Sequence, residues 1–431
     1  MSLMTQTFEN TEIGERRIQA VLPSGLTVVV IPRPGFHKTF ATFATRYGSI
    51  DNAFHDPKTQ AVVTVPDGIA HFLEHKMFEK EGGGDAFDDF ARLGASSNAY
   101  TDYTSTTFLF QTTSHVMENL TTLLDFVQRP YFTEANVNKE KGIIEQEIRM
   151  YLDMPGDRLH SNLMRALYVT HPVRIDIAGS VESIRTITPE DLYTCYRTFY
   201  HPSNMILLVI GDVDPEQIIA EVRRNQEPKG YGLQGPVVPV YPPEPAGVKE
   251  KHVEKSMVVS MPLFVMGYKN AQTGLTGPAL LRQEITYGLM WQMLCGKSSP
   301  LFQDLYGQGL INDRFYARYG GSTTFGFSAL GGETPQPELL EEKLTQALGR
   351  APLTAADLER AKKREIGEFI GLFQNPEELA YAYNSLFFRG IDIFDYVDTA
   401  MALTLPDIEQ ARAEHLRESQ RATSVIRPQD N

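Results

Sequence analysis

Apolar positions in the first half of the chain alternate between two periods. Residues 26–31 and 40–47 are rich in β-branched and aromatic side chains and predict strands. Residues 98–112, crowded with Thr, Tyr and Phe, predict one long strand, and residues 205–210 a buried one. Helical spacing covers the stretch carrying His71 and His75, then residues 85–93, 114–128 and 133–152. Asp67 is expected to cap the first of these helices, Gly82-Gly83-Gly84 to end it, and Gly94 to stop the second. Strands grouped with long helices predict an α+β layer architecture, each sheet mainly antiparallel.

The pattern then repeats. Ser105-Thr106-Thr107-Phe108-Leu109-Phe110 is echoed by Ser322-Thr323-Thr324-Phe325-Gly326-Phe327. Phe132-Thr133-Glu134-Ala135 is matched by Leu353-Thr354-Ala355-Ala356, and Thr188-Pro189-Glu190-Asp191-Leu192 by Thr404-Leu405-Pro406-Asp407-Ile408. A shared order of weak matches points to internal duplication. Residues 229–247, with Pro236, Pro239, Pro242, Pro243 and Pro245, show neither period and read as an extended linker. The expected organisation is therefore a domain at 1–228, the linker at 229–247 and a homologous domain at 248–431.

Composition narrows the partners. The 431 residues carry 54 acids against 40 bases, a net charge of −14, which argues against nucleic acid or an anionic membrane as main partner. No apolar run approaches the length of a membrane span. Cys195 and Cys295 are far apart, so no disulfide framework is implied and a reducing cytoplasm fits. The segment Met1-Ser2-Leu3-Met4-Thr5-Gln6 lacks a basic region followed by an apolar run, so no secretion signal is expected.

The chemistry concentrates at His71-Phe72-Leu73-Glu74-His75. Residues i and i+4 share a helix face, so both imidazoles reach one metal ion. Glu74 falls on the same face, placed to act on a metal-bound water as general base; this is the H-x-x-E-H order. A catalytic zinc needs a third protein ligand. Helix 138–152 offers Glu140, Glu145 and Glu147. Glu140, Ile144, Glu147 and Tyr151 make one stripe joined by Ile148, so Glu147 lies among apolar neighbours where an unpaired carboxylate is expensive. Glu147 is the expected ligand and Glu145 the solvated acid. Glu140 is either another surface acid or the group that hydrogen-bonds a ligand histidine and fixes its tautomer.

These residues resemble the inverzincin peptidases, which include pitrilysin, insulin-degrading enzyme and the mitochondrial processing peptidase. The Ile-Ile-Glu-Gln-Glu run at 143–147 and the duplication are similar too, and 172–179 is like the bacterial processing-peptidase branch. The resemblance implies zinc on His71, His75 and Glu147, one ion per chain, Glu74 as general base and Glu140 as supporting acid. It also implies a substrate-binding edge strand holding Asn98, Ala99, Tyr100 and Thr101, and hydrolysis of unstructured peptides in an enclosed chamber.

The second half departs from that family. An Arg and a Tyr are expected after its Leu-Phe-x-x-Leu run, but Tyr306 stands where the Arg should be and the Tyr is missing. Arg314, Tyr316, Arg318 and Tyr319 are nearby substitutes that spacing does not select. The half also lacks H-x-x-E-H. The expectation is a homodimer, or a heterodimer with a related chain supplying Arg and Tyr, and weak activity alone. The competing expectation is a non-catalytic assembly subunit of the same fold.

Overall fold

A computed structural model describes residues 5–429; the reading of residues 1–4 lies outside them. Two compact units emerge, and they are interleaved in sequence. The first comprises the stretch ending at Ile148, Asp176–Tyr241 and Leu372–Ser385; the second comprises Arg149–Ile175, Pro242–Gly371 and the stretch from Leu386 onward. A division at residues 229–247 therefore differs from the compact units, which exchange segments.

In the first unit the strands are β1 (Thr5–Asn10), β2 (Glu15–Val21), β3 (Thr27–Pro32), β4 (Thr39–Thr45), β5 (Ala53–His55), β6 (Val62–Thr64), β7 (Ser96–Thr101), β8 (Thr106–Thr112), β9 (Met205–Gly211) and β10 (Val238–Pro239). Seven of them form one sheet in the order β1-β2-β3-β9-β4-β8-β7. Only the β3–β9 pair is parallel. In the second unit β11 (His252–Met257), β12 (Leu263–Lys269), β13 (Tyr316–Gly321), β14 (Gly326–Glu333) and β15 (Arg421–Pro428) are ordered β11-β15-β12-β14-β13, with β11–β15 the parallel pair. This order repeats β3-β9-β4-β8-β7 strand for strand, so the duplication is present in the topology. The matched segments fall on equivalent features. Thr188 and Thr404 each close a capping box with Asp191 and Asp407.

The helices that matter for the site are α1 (Ile69–Met77), α2 (Ala86–Arg92), α3 (Val116–Val127) and α4 (Glu134–Asp153); α5 (Pro155–Leu167) belongs to the second unit. Alternation explains which side of the first sheet they cover. Val28, Val30, Ala41, Phe43, Phe108, Phe110, Leu207 and Val209 share one buried cluster with Phe72, Leu73, Leu120, Leu124, Ile144 and Ile148 from the helices. In the second unit α5 lies so close to β12 that a Cβ on Gly267 would meet Leu163 at 2.9 Å.

Three local expectations are corrected. The strand expected over 98–112 is a hairpin, β7 and β8, because the Asp102 carboxylate accepts the Thr104 and Ser105 N–H groups at 2.6 and 2.7 Å and builds a turn. Asp67 does not cap α1; it accepts from Asn52 at 2.6 Å, and Gly68 takes the cap position in the left-handed region. α1 ends at Met77, before the glycine run, which forms a turn closed by Gly83 N donating to Lys80 O. The proline-rich segment is anchored as well. β10 pairs with β5 and the Tyr241 hydroxyl donates to Asp51, whereas Glu244 accepts from the Val169, Thr170 and His171 amides in the second unit.

Candidate metal centre

α1 presents His71, Glu74 and His75 on one face because its opposite face, Ile69, Phe72 and Leu73, is buried in the core. Its start is fixed by a close approach. Gly68 has φ +87° and a Cβ there would meet the Ala178 carbonyl oxygen at 2.4 Å, so only glycine fits. α4 crosses the same face and brings Glu140 and Glu147. Asn136, Val137, Glu140, Ile144 and Ile148 are its buried residues within the first unit. The stripe read from sequence is adjusted accordingly: Tyr151 is 41% exposed, and Glu147 is only partly buried.

Ligand-type atoms of His71, His75 and Glu147 all lie within 4.8 Å of one another, the one such group among the described residues. His71 Nε2 is 3.7 Å from Glu147 Oε1 and His75 Nε2 is 3.5 Å from Glu147 Oε2. Both distances exceed a hydrogen bond. They approach the separation of about 3.3 Å that two ligands adopt when each sits about 2.0 Å from a tetrahedral ion. The His71 ring is largely buried, and burial together with the neighbouring His75 charge pushes its pKa down to about 3. It is thus a neutral imidazole with a lone pair to offer. Its Nδ1 is buried without a hydrogen-bond partner among the described residues. Two neutral-capable imidazoles and a carboxylate that converge without bonding one another fit a divalent cation.

The surrounding groups are ordered. His75 Nδ1 lies 3.1 Å from Glu140 Oε1, which leaves Nε2 facing Glu147. Burial lowers the His75 pKa, but the bond to Glu140 and the charges of Glu74, Glu147 and Glu140 outweigh it and raise the value overall. The Thr101 hydroxyl donates to Glu74 Oε2 at 2.6 Å. Burial raises the Glu74 pKa, the Glu147 charge acts in the same sense, and Thr101 and His75 oppose them. Glu145, expected to be solvated, instead pairs with Arg185 at 2.9 Å.

The proposed substrate strand is β7, and it is an edge of its sheet. Asn98 and Ala99 line a cleft of about 680 Å³ with Glu74, His75, Phe78, Phe87 and Ile143. Tyr100 turns to Tyr381 at a ring distance of 5.0 Å and Thr101 turns to Glu74. The Ala99 N–H donates to the side chain of Asn98 and so takes no part in the β7–β8 ladder. In the second unit Tyr306 is half exposed, the Arg318 guanidinium stands 5.2 Å over the Tyr316 ring, and the Tyr319 hydroxyl accepts from Asn270. Arg314 lies in the turn before β13, where its N–H donates to Asn312.

Residues 65–180 match the model described as Insulinase (Peptidase family M16), and residues 186–365 match the Peptidase M16 inactive domain. A Bacillus subtilis protein described as the uncharacterized zinc protease YmfH is 45% identical over 96% of this chain and 97% of its own length. The chain belongs to peptidase family M16. A solved M16-like chain from Alicyclobacillus acidocaldarius superposes with a TM-score of 0.92 at 38% identity, covering 100% of this chain and 99% of that one. A Helicobacter pylori protease shares the fold, with a TM-score of 0.80 at 20% identity over 96% of this chain and all of that one. The H-x-x-E-H segment falls under the first of the two M16 models.

Sequence reasoning missed Lys76. It continues the stripe Ile69, Phe72, Leu73 and is wholly buried, and a lysine in an apolar stripe is the signal that marks it.

Proposed function

We propose that this M16 member is a zinc metalloendopeptidase acting on unstructured peptides. The observation that carries the reading is the convergence of His71, His75 and Glu147 at ligand spacing, beside a Glu74 whose carboxylate is held in place. The donor set, two imidazoles and one carboxylate, is that of a catalytic zinc, which keeps a fourth position for water. Bound there, zinc supplies an acidified water and polarises a carbonyl. Thr101 occupies Oε2 of Glu74, so Oε1 receives the proton from the attacking water and returns it to the leaving amine. Burial raises the affinity of Glu74 for that proton, as a general base requires. Glu140 holds the His75 ring by Nδ1 and keeps Nε2 directed at the ion.

Substrate enters as an added strand on β7. The Ala99 amide is available on that edge once the Asn98 side chain swings away, and main-chain bonds select extended backbone rather than sequence. Asn98, Ala99, Tyr100 and Thr101 are the residues of β7 that receive the substrate.

The lack of the expected Arg and Tyr in the second unit supports a homodimer or a heterodimer with a related chain. Arg318 beside Tyr316 on the edge strand β13 is the pair that takes their place if the chain acts alone. Two buried unpaired cysteines, Cys195 and Cys295, support a cytoplasmic location. Among the described residues no helix is long and apolar enough to cross a membrane. A non-catalytic assembly subunit is the second reading, favoured by the inactive-domain match of residues 186–365.

Zinc analysis of the purified chain with a quenched-fluorescence peptide assay separates the two. One zinc per chain, with hydrolysis lost in Glu74→Gln while zinc is kept, supports the peptidase. A chain that binds zinc but hydrolyses no peptide in any tested assembly supports the assembly subunit.

A further inference from the structure

Lys76 follows His75 directly, yet its side chain is 0% exposed. A buried ammonium is costly unless paired, so its partners were selected by the fold rather than by solvent. It has two. Nζ contacts Glu79 Oε2, just past the end of α1, and lies 3.8 Å from Glu140 Oε2 on α4. The second separation is an ion pair rather than a hydrogen bond. Glu140 thus divides its two oxygens: Oε1 faces His75 Nδ1 at 3.1 Å and Oε2 faces Lys76.

That division has a geometric effect. A carboxylate anchored by one oxygen alone can turn about its terminal torsion, which is broad and soft. An attraction on the other oxygen fixes the plane, and with it the line along which Oε1 meets the imidazole. Glu140 is itself largely buried, so water is a poor substitute for the ammonium.

We propose that Lys76 is a positioning residue for the metal centre, orienting Glu140 so that Glu140 can hold the His75 ring with Nε2 toward the ion. This rests on the zinc-site reading above. The ammonium touches neither substrate nor the reacting atoms; it acts through Glu140. Glu79 completes its pairing and, among the described residues, bonds to none of the proposed ligands. The role is specific to this chain's residue at position 76 and does not follow from the H-x-x-E-H spacing.

The test is zinc affinity by chelator competition on the full chain, for wild type, Lys76→Met, Glu140→Gln and the combined variant. Methionine keeps the buried stem and removes the charge. Lys76→Met should weaken zinc binding about tenfold, the lower end of what removing an outer partner of a ligand costs. In the Glu140→Gln background the same substitution should change affinity less than twofold, because the route through Glu140 is already cut. Equal weakening in both backgrounds would make Lys76 a general packing residue and overturn the proposal. So would unchanged affinity, or the tighter binding expected if Lys76 acted only as one positive charge near a divalent ion. If Lys76→Met folds poorly because Glu79 is left unpaired, Lys76→Met/Glu79→Gln removes the pair together and must show the same tenfold loss. Absence of zinc binding by wild type would refute the metal-site reading itself, a result distinct from any of these.

Discussion

Thr101 donates its hydroxyl to Glu74 at 2.6 Å, and this bond joins the edge strand β7 to the helix α1. A residue on the strand proposed to receive substrate therefore also sets the rotation of the proposed base. Replacing Thr101 by Val keeps the shape and removes the donor. Loss of a hydrogen bond to a charged group is worth about 1.5–3 kcal/mol, so turnover should fall at least about tenfold. Zinc content should stay at the wild-type level, since the Thr101 hydroxyl bonds to Glu74 and Thr106 and not to His71, His75 or Glu147. Metal analysis beside a kcat measurement checks both; loss of zinc would place Thr101 in the metal site instead.

The free edge of β7 makes a separate claim. The Ala99 N–H is bonded to its neighbour's side chain and not to β8, so Ala99→Pro removes an amide the ladder does not use. The protein should fold and bind zinc normally, while KM for an extended peptide rises about tenfold, as for loss of about one well-made hydrogen bond. An unchanged KM would move the substrate off this strand.

Gly68 tests how the metal helix is aimed. Alanine at φ +87° costs about 1–2 kcal/mol for the left-handed backbone alone, and the 2.4 Å approach to the Ala178 oxygen adds to it. Gly68→Ala should lower the melting temperature and weaken zinc binding together, because both begin at the first turn of α1. Calorimetry with and without zinc reads the two effects.

Glu244 ties the proline-rich segment into the second unit. Burial opposes its charge, but the Lys269 ammonium and the Val169, Thr170 and His171 amides prevail and hold its pKa at about 2, against an ordinary 4.5. The folded pKa is the lower one, so the stability it contributes is complete above about pH 4.5 and is lost as pH falls toward 2. Glu244→Gln also leaves the buried Lys269 ammonium without its carboxylate. Denaturation of this variant at pH 7 should show a loss of about 2–4 kcal/mol relative to wild type. The difference should shrink across pH 4.5 to 2; a constant difference would contradict the assignment.

Much of the proposed centre was legible because helical spacing is rigid. His71 and His75 at i and i+4 must share a face, and Glu147 stood out as an acid one turn from Ile144 and beside Ile148, although it is only partly buried. The sheet hairpin was not legible, because Asp102-Tyr103-Thr104-Ser105 turns without Gly or Pro and its side-chain bonds do the work. The exchange of segments was hidden for another reason. The apolar face of α5, with Leu159, Leu163 and Leu167, shows that the helix is buried but not against which of two similar sheets. Lys76 is legible only from its place in the stripe of Ile69, Phe72 and Leu73, where a charge must be buried with partners.

The central claim is that one divalent ion is held by two imidazoles and the carboxylate of Glu147. A crystal of the zinc-loaded chain, with an anomalous difference map collected at the zinc edge, tests it most directly. The account predicts a single strong peak about 2.0–2.2 Å from Nε2 of His71, Nε2 of His75 and an oxygen of Glu147. A map with no peak among these three residues, or with its peak on other side chains, would contradict it.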